Sequence, residues 1–199
     1  QNLITSDLDY EIPMQKMGFP TTFIPNPINV DTITFQPIED ADKIVIFLGI
    51  NRLSSIKKGI SYFEKALEII REKYADKIEI IVTENRPYNE YILAYNKAHV
   101  VLDQVFAYDQ GYNALEAMAK GKVVFTGAEN EFLNQYELQE DDVCINALPD
   151  ENKIVTKLSF LIEHQDKIIE ISKNARNFIE KEHNYKVIAD KYLGCWFKE

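Results

Sequence analysis

The sequence predicts an α/β domain on a doubly wound parallel sheet, and three observations carry that expectation. Short apolar runs recur at Ile44–Leu48, Ile78–Val82, Val100–Leu102 and Val123–Phe125. They are continuous rather than alternating, as strands covered on both faces must be. Amphipathic helical stretches stand between them, and no internal repeat or Gly/Ser-rich linker interrupts the alternation.

Leu3–Thr5 reads as a short strand, followed by Ser6, Asp7 and Asp9 as cap candidates for a helix reaching toward Gly18. Pro13 delays or kinks that helix. Thr21–Ile24 is a second strand, ended by the rigid turn Pro25-Asn26-Pro27. A polar connection, Asp31 to Lys43, leads to the strand at Ile44. The next helix spans Gly59 to Tyr74, where Ile60, Phe63, Ala66, Leu67, Ile70 and Tyr74 recur at intervals of three and four. A short helix at Asn89–Asn96 separates the next two strands, and a glycine-led helix through Glu116 separates Val100–Leu102 from Val123–Phe125. Val143–Ile145 is a later strand, with the acidic stretch from Glu137 to Asp142 before it as a surface turn. From Asn152 the pattern is helical, with Ile154, Leu158 and Leu161, then Ile168, Ile171, Ala175 and Ile179, and a last helix near Tyr185–Tyr192.

At 199 residues, one sizeable core is the simpler expectation. The net charge of −10 argues against nonspecific nucleic-acid binding, which needs concentrated Lys and Arg, while leaving room for a local basic pocket. Cys144 and Cys195 suit neither a disulfide scaffold nor a metal cluster, and His99, His164 and His183 have no metal-ligand spacing. No apolar run approaches the length of a membrane span. A chain that opens on Gln1, with a strand almost at once, is expected to be a piece cut between domains.

Three features follow strand ends. Gly49-Ile50-Asn51-Arg52 precedes Lys57-Lys58-Gly59 at a helix start, where two or three cations and free helix amides can hold a diphosphate. The same spacing also describes a solvated basic loop, and no GxxxxGK[ST] phosphate loop is present. Asp109-Gln110-Gly111-Tyr112-Asn113 opens the next helix, with Gly111 permitting close approach of a ligand to the backbone. A plain helix cap accounts for that stretch equally well. Glu116, on the helical face of Tyr112 and Asn113, stands among Ala114, Ala117, Met118 and Ala119. A carboxylate there can accept hydrogen bonds from a sugar diol, or serve as an exposed or salt-bridged helix acid.

Together these pieces resemble the C-terminal half of a retaining GT-B glycosyltransferase of the family 4 group. Ile24-Pro25-Asn26-Pro27-Ile28-Asn29 is similar to the family's PNGID turn, and Arg52 through Lys58-Gly59 to its R…KG element. Leu115-Glu116-Ala117-Met118-Ala119-Lys120-Gly121-Lys122-Val123-Val124 is similar to LEAMAxGxPVV, with Lys122 in place of the usual proline. The resemblance covers nearly all of the chain and implies a Rossmann-like donor-binding domain over 1–199, with the last helices packing across it. It further implies a nucleotide-diphosphate sugar as substrate, no cofactor and no metal, and an N-terminal acceptor-binding domain absent from this chain. By the same resemblance Arg52 and Lys58 clamp the diphosphate and act in catalysis by stabilising leaving-group charge. Gly49 belongs to the donor site with the Arg52 element, Thr83 and Glu84 end a strand near the nucleoside pocket, Gly111, Tyr112 and Asn113 present the helix start, and Glu116 holds the ribose. Where the family commonly has a Glu near the donor sugar this sequence has Tyr108, so Asp109, Gln104 and Tyr108 are the candidates for a modified sugar pocket. A cytoplasmic enzyme of polysaccharide biosynthesis is the implied setting, with peripheral contact to the inner membrane surface left to the missing half. The alternatives are a degenerate nucleotide-binding or interaction domain, or a GT-B-like epimerase or phosphorylase. The isolated chain is expected to transfer little or no sugar.

Overall fold

Ile44–Ile50 (β3) forms an inner strand of a five-stranded sheet because its residues alternate between two apolar layers. The computed structural model describes residues 3–197. Before β3 come Leu3–Thr5 (β1), Leu8–Lys16 (α1) and Thr21–Phe23 (β2). After it come Ser55–Lys58 (α2), Ile60–Lys73 (α3), Ile78–Glu84 (β4), Tyr88–Lys97 (α4) and Val100–Leu102 (β5). Tyr112–Ala119 (α5), Val123–Thr126 (β6), Asn130–Tyr136 (α6) and Ile145–Asn146 (β7) follow. The chain then runs through Glu151–Glu163 (α7), Gln165–Glu182 (α8) and Tyr185–Trp196 (α9).

The larger sheet is parallel throughout, in the order β4-β3-β5-β6-β7. Ile46, Leu48, Val100, Leu102, Val123 and Phe125 face one core, shared with α3 and α7. Their sequence neighbours Phe47, Val101 and Val124 face the other, shared with α5 and α8. That alternation within unbroken apolar runs is what double winding requires, since each face of a strand meets its own helices.

Several elements differ from the sequence expectation. β1 and β2 do not join the main sheet; they pair with each other as a separate parallel pair, packed with α1. Pro13 sits inside α1 rather than delaying its start, because Asp7 caps the helix six residues earlier in the chain and accepts from the Tyr10 amide. The strand expected at Val143–Ile145 is displaced to Ile145–Asn146, with Val143 and Cys144 buried ahead of it. α6 was not expected. Lys57 and Lys58 end the one-turn α2 instead of starting α3. Gly59 makes the joint with φ of +66°, and a Cβ there would stand 2.2 Å from Val105 Cγ2, so only glycine fits.

The end of the chain is tied to its beginning. Ile28 forms a parallel bridge to Asn184, and the Ile28 amide donates to the His183 carbonyl. His183 is buried, its Nδ1 donates to the Asn26 carbonyl at 2.8 Å, and burial pulls its pKa down to about 4. It is therefore a neutral structural imidazole. His99 has a similar role, accepting the Val45 amide at Nδ1.

Candidate functional site

The strand order reverses its winding between β3 and β5, and the crevice beyond their carboxyl ends is where open α/β sheets receive ligands. A cleft of about 380 Å³ lies there, bordered by Gly49, Asn51, Lys58, Thr83, Tyr91 and Asn113 among others. Of the residues singled out from sequence, Gly49, Lys58, Thr83 and Asn113 thus reach one cavity. Gly49 is glycine for a packing reason: a Cβ would stand 2.7 Å from the Tyr91 ring, which α4 brings against the end of β3.

A chain of hydrogen bonds spans the cleft wall. Lys58 Nζ donates to Asp103 Oδ1 at 2.8 Å, and the same oxygen accepts from Asn113 Nδ2 at 3.1 Å. Asn113 Oδ1 in turn accepts from the Tyr91 hydroxyl at 3.0 Å. The Lys58 carbonyl also accepts the Val105 amide, so backbone and side chain both bind this residue to the end of β5. The Asp103 side chain is 2% exposed and that of Lys58 33%, so one end of the pair is sealed and the other faces solvent. Asp103 orients both Lys58 and Asn113, leaving the ammonium with donors to spare.

Asn113 lies in the first turn of α5, whose cap residue Gly111 offers no side-chain acceptor to the first amides. Gly111 has φ of −78°, and a Cβ there would meet nothing within 4 Å. The protein's own packing does not demand glycine at this point; the space it leaves lies outside the chain. Glu116 is exposed one turn further along the same helix, and Tyr112 is half exposed beside it.

The remaining predicted residues stand outside the lining of this cleft. Arg52 Nη2 donates to Glu84 Oε2 at 2.7 Å and to Glu64 Oε1 at 3.0 Å. Those two acids raise its pKa, Glu84 most, and Arg52 lowers that of Glu84. Gln104 Nε2 reaches the Asp109 carbonyl at 3.5 Å. The Tyr108 amide donates to Asp9 Oδ1 at 2.9 Å, and Asp109 Oδ2 accepts the Leu8 amide at 2.9 Å. Asp109 is thus turned to the start of α1 and not to the cleft. Burial, with Asp7 and Asp9 adding to it against the Leu8 hydrogen bond, pushes its pKa up to about 7.

Sequence reasoning missed Asp103, Tyr91 and Arg86, of which the last two line the cleft. A carboxylate directly after the apolar run Val100-Val101-Leu102 was the available signal for Asp103, since the ends of parallel strands are where such folds place functional groups.

Comparison with known proteins places this geometry. The family described as glycosyl transferase-like matches residues 53–194. Nothing among curated proteins matches the sequence. Sucrose-phosphate synthase from Thermosynechococcus elongatus is similar in fold at a TM-score of 0.70 and 18% identity, over 98% of this chain and 57% of that one. HepE from Anabaena, solved in complex with UDP and glucose, gives 0.71 and 14%, over 98% of this chain and 62% of its own. The C-terminal domain of a group 1 family glycosyl transferase, LpcC from Francisella tularensis, gives 0.56 and 18%, over 79% of this chain and 98% of its own. This chain therefore spans little more than half of the first two and nearly the whole of the third. Among the described residues no helix is long and apolar enough to cross a membrane. The chain belongs to the glycosyl transferase-like family, and its fold is that of the C-terminal, Rossmann-like half of a GT-B glycosyltransferase.

Proposed function

We propose that this domain binds the donor of a glycosyltransferase that moves a sugar from a nucleotide-diphosphate sugar to an acceptor with retention of configuration. The observation that carries the reading is the Lys58–Asp103–Asn113 network at the switch point, next to the uncapped start of α5. A diphosphate laid across the cleft meets the Lys58 ammonium and the first amides of α5, and both favour negative charge. Those groups gain most as charge builds on the departing diphosphate, so they also serve the chemical step. In this reading no metal is needed at the diphosphate. Thr83 borders the nucleoside and Glu116 takes the ribose hydroxyls. Gln104 and Tyr108 shape the sugar end, where the usual acid is missing. HepE's complex with UDP and glucose supports a nucleotide sugar as the class of donor.

Sugar transfer further requires a second domain that brings an acceptor hydroxyl to the anomeric carbon and excludes water. That acceptor-binding half is proposed to precede this chain in a cytoplasmic enzyme, with any contact to the membrane surface made through it. The domain alone then binds nucleotide weakly and transfers no sugar.

Calorimetry of the 199-residue chain with UDP, GDP and ADP tests the reading. One nucleotide should bind, and the Arg52→Ala/Lys58→Ala variant should bind it at least about tenfold more weakly, as expected for loss of charge-assisted hydrogen bonds. If no nucleotide binds while the circular dichroism spectrum is that of a folded α/β domain, the donor reading is wrong. The Arg52 ion pairs and Tyr108 would then point to an interaction domain.

A further inference from the structure

Away from the cleft, the turn leading into α5 meets the N-terminal α1 through three carboxylates. Asp7, Asp9 and Asp109 each offer an oxygen, and the three atoms lie within 4.8 Å of one another. Each acid also anchors a backbone amide with one oxygen. Asp7 Oδ1 accepts from Tyr10, Asp9 Oδ1 from Tyr108, and Asp109 Oδ2 from Leu8. The two segments thereby hold each other in place across a hundred residues of sequence, and the acids are prepositioned by the backbone.

A second observation concerns one oxygen of Asp109. The residue is 6% exposed, and its Oδ1 is sealed from solvent with no hydrogen-bond partner among the described residues. A buried carboxylate oxygen without a donor is costly, and two further acids beside it make it more so. Burial pushes the pKa of all three acids up; Ser6 and Asn26 oppose it at Asp7 and Lys57 at Asp9, while among the described residues no cation opposes it at Asp109. What is missing is a positive partner for oxygen ligands.

We infer that Asp7, Asp9 and Asp109 form a site for a hard divalent cation of the calcium class. Oxygens bound to one calcium ion stand at most about 5 Å apart, given bonds of about 2.3–2.6 Å, and the trio falls within that limit. The donor set is oxygen only, which selects calcium, magnesium or manganese over zinc or copper. Asp7 and Asp9 lie toward the surface, so water can complete the coordination and the ion has an entry path. The cation cross-links α1 to the Tyr108–Gly111 turn and so fixes the approach to α5. It belongs to the α1–turn junction, and its existence does not depend on what occupies the cleft.

The test uses the 199-residue chain, freed of metal with chelator, at neutral pH. Thermal unfolding is followed during titration with calcium chloride, with magnesium chloride and manganese chloride in parallel. Terbium luminescence, displaced by calcium, counts the sites. One site is expected, with a rise in Tm of about 5 °C once calcium is a hundredfold above its Kd. Asp109→Asn keeps an acceptor for the Leu8 amide and should weaken calcium binding at least about tenfold. Asp9→Asn, at the exposed member of the trio, should do the same and decides the matter if Asp109→Asn does not fold. No terbium binding and no rise in Tm up to about 10 mM of any of the three cations would overturn the site, since even weak calcium modules bind below that concentration. So would a rise that survives both substitutions. A Tm that responds to acid and not to cations would assign the trio to a bound proton instead.

Discussion

Arg52 and Lys58 come from one short basic element, yet the fold gives them opposite electrostatic settings. Lys58 is held by a single, nearly sealed carboxylate and keeps a third of its side chain open toward the cleft. Arg52 is held by two acids that are themselves well exposed, and it stands outside the cleft lining. A ligand can use Lys58 without breaking its pair, because an ammonium has three donors and Asp103 takes one of them. To use Arg52, a diphosphate must share the guanidinium with Glu84 and Glu64. The difference shows that a cation's position along a motif says little about its availability; the number and burial of its counter-ions decide that.

Breaking the buried pair should have the largest effect. Lys58→Ala leaves the Asp103 carboxylate with Asn113 alone, and should cost about 2 kcal/mol, discounted from fully buried pairs because Lys58 is partly solvated. Denaturant melts measure that loss, and calorimetry should show nucleotide affinity reduced at least about tenfold. Adding Asp103→Asn should recover the stability but not the affinity. Recovery of both would make Lys58 a structural residue only.

Lys122 extends the comparison to a cation with no carboxylate partner among the described residues. Its Nζ donates to the Asn96 carbonyl at 2.9 Å, and burial, with Lys120 adding to it, pulls its pKa from 10.5 down to about 8. Between those two values the unfolded chain holds the proton more tightly than the folded one, so stability rises with pH across that window. Below pH 8 the penalty for a desolvated ammonium is fully present. Lys122→Met should therefore flatten the rise seen in urea melts between pH 8 and 10, and add about 1 kcal/mol at pH 7, the lost hydrogen bond offsetting part of the gain. A wild-type stability that stays flat over that range would contradict the burial argument.

Arg52→Ala should be the mildest. Exposed pairs contribute little to stability, and affinity for nucleotide should change by no more than about threefold. A tenfold loss in the same calorimetric titration would mean that the ligand draws Arg52 away from its carboxylates, and would erase the contrast with Lys58.

Much of the fold was legible because apolar spacing is a local property. The strands at Ile44, Ile78, Val100 and Val123 and the helical stripe from Ile60 to Ile70 are each set by their own residues. Where one short run could join either of two sheets, the sequence was silent. Leu3–Thr5 and Thr21–Phe23 look like any other strands, and their withdrawal into a separate pair depends on α1, whose buried Glu11 accepts hydrogen bonds from Thr5, Gln15 and Thr21. α6, with the sequence NEFLNQY, is too short and polar to show a stripe, although Phe132 is buried. At the site, Gly49, Lys58, Thr83 and Asn113 were found because each stands close to the end of an apolar run or of a helix, where ligands are commonly held. Asp103 was missed because a lone acid after a strand resembles a solvated turn until its partners are known. Asp109 was expected near the sugar, and its turn toward Leu8 follows from a contact with the far N-terminus that no local pattern encodes.

The parallel order of the larger sheet also governs how the chain assembles. No two adjacent strands are joined by a tight turn; each pairing spans a crossover, and β3 meets β5 only after all of α3, β4 and α4 has been looped out. Loop-closure entropy must be met before those contacts reward it, so no hairpin can act as a quick local nucleus. The shortest-range route to pairing in this sheet is a helix packing onto the strands at its two ends, as α3 does between β3 and β4. The cleft, bordered by the ends of β3 and β4 and by Asn113 of α5, is complete only once the looped-out β5 and the helix after it have joined β3.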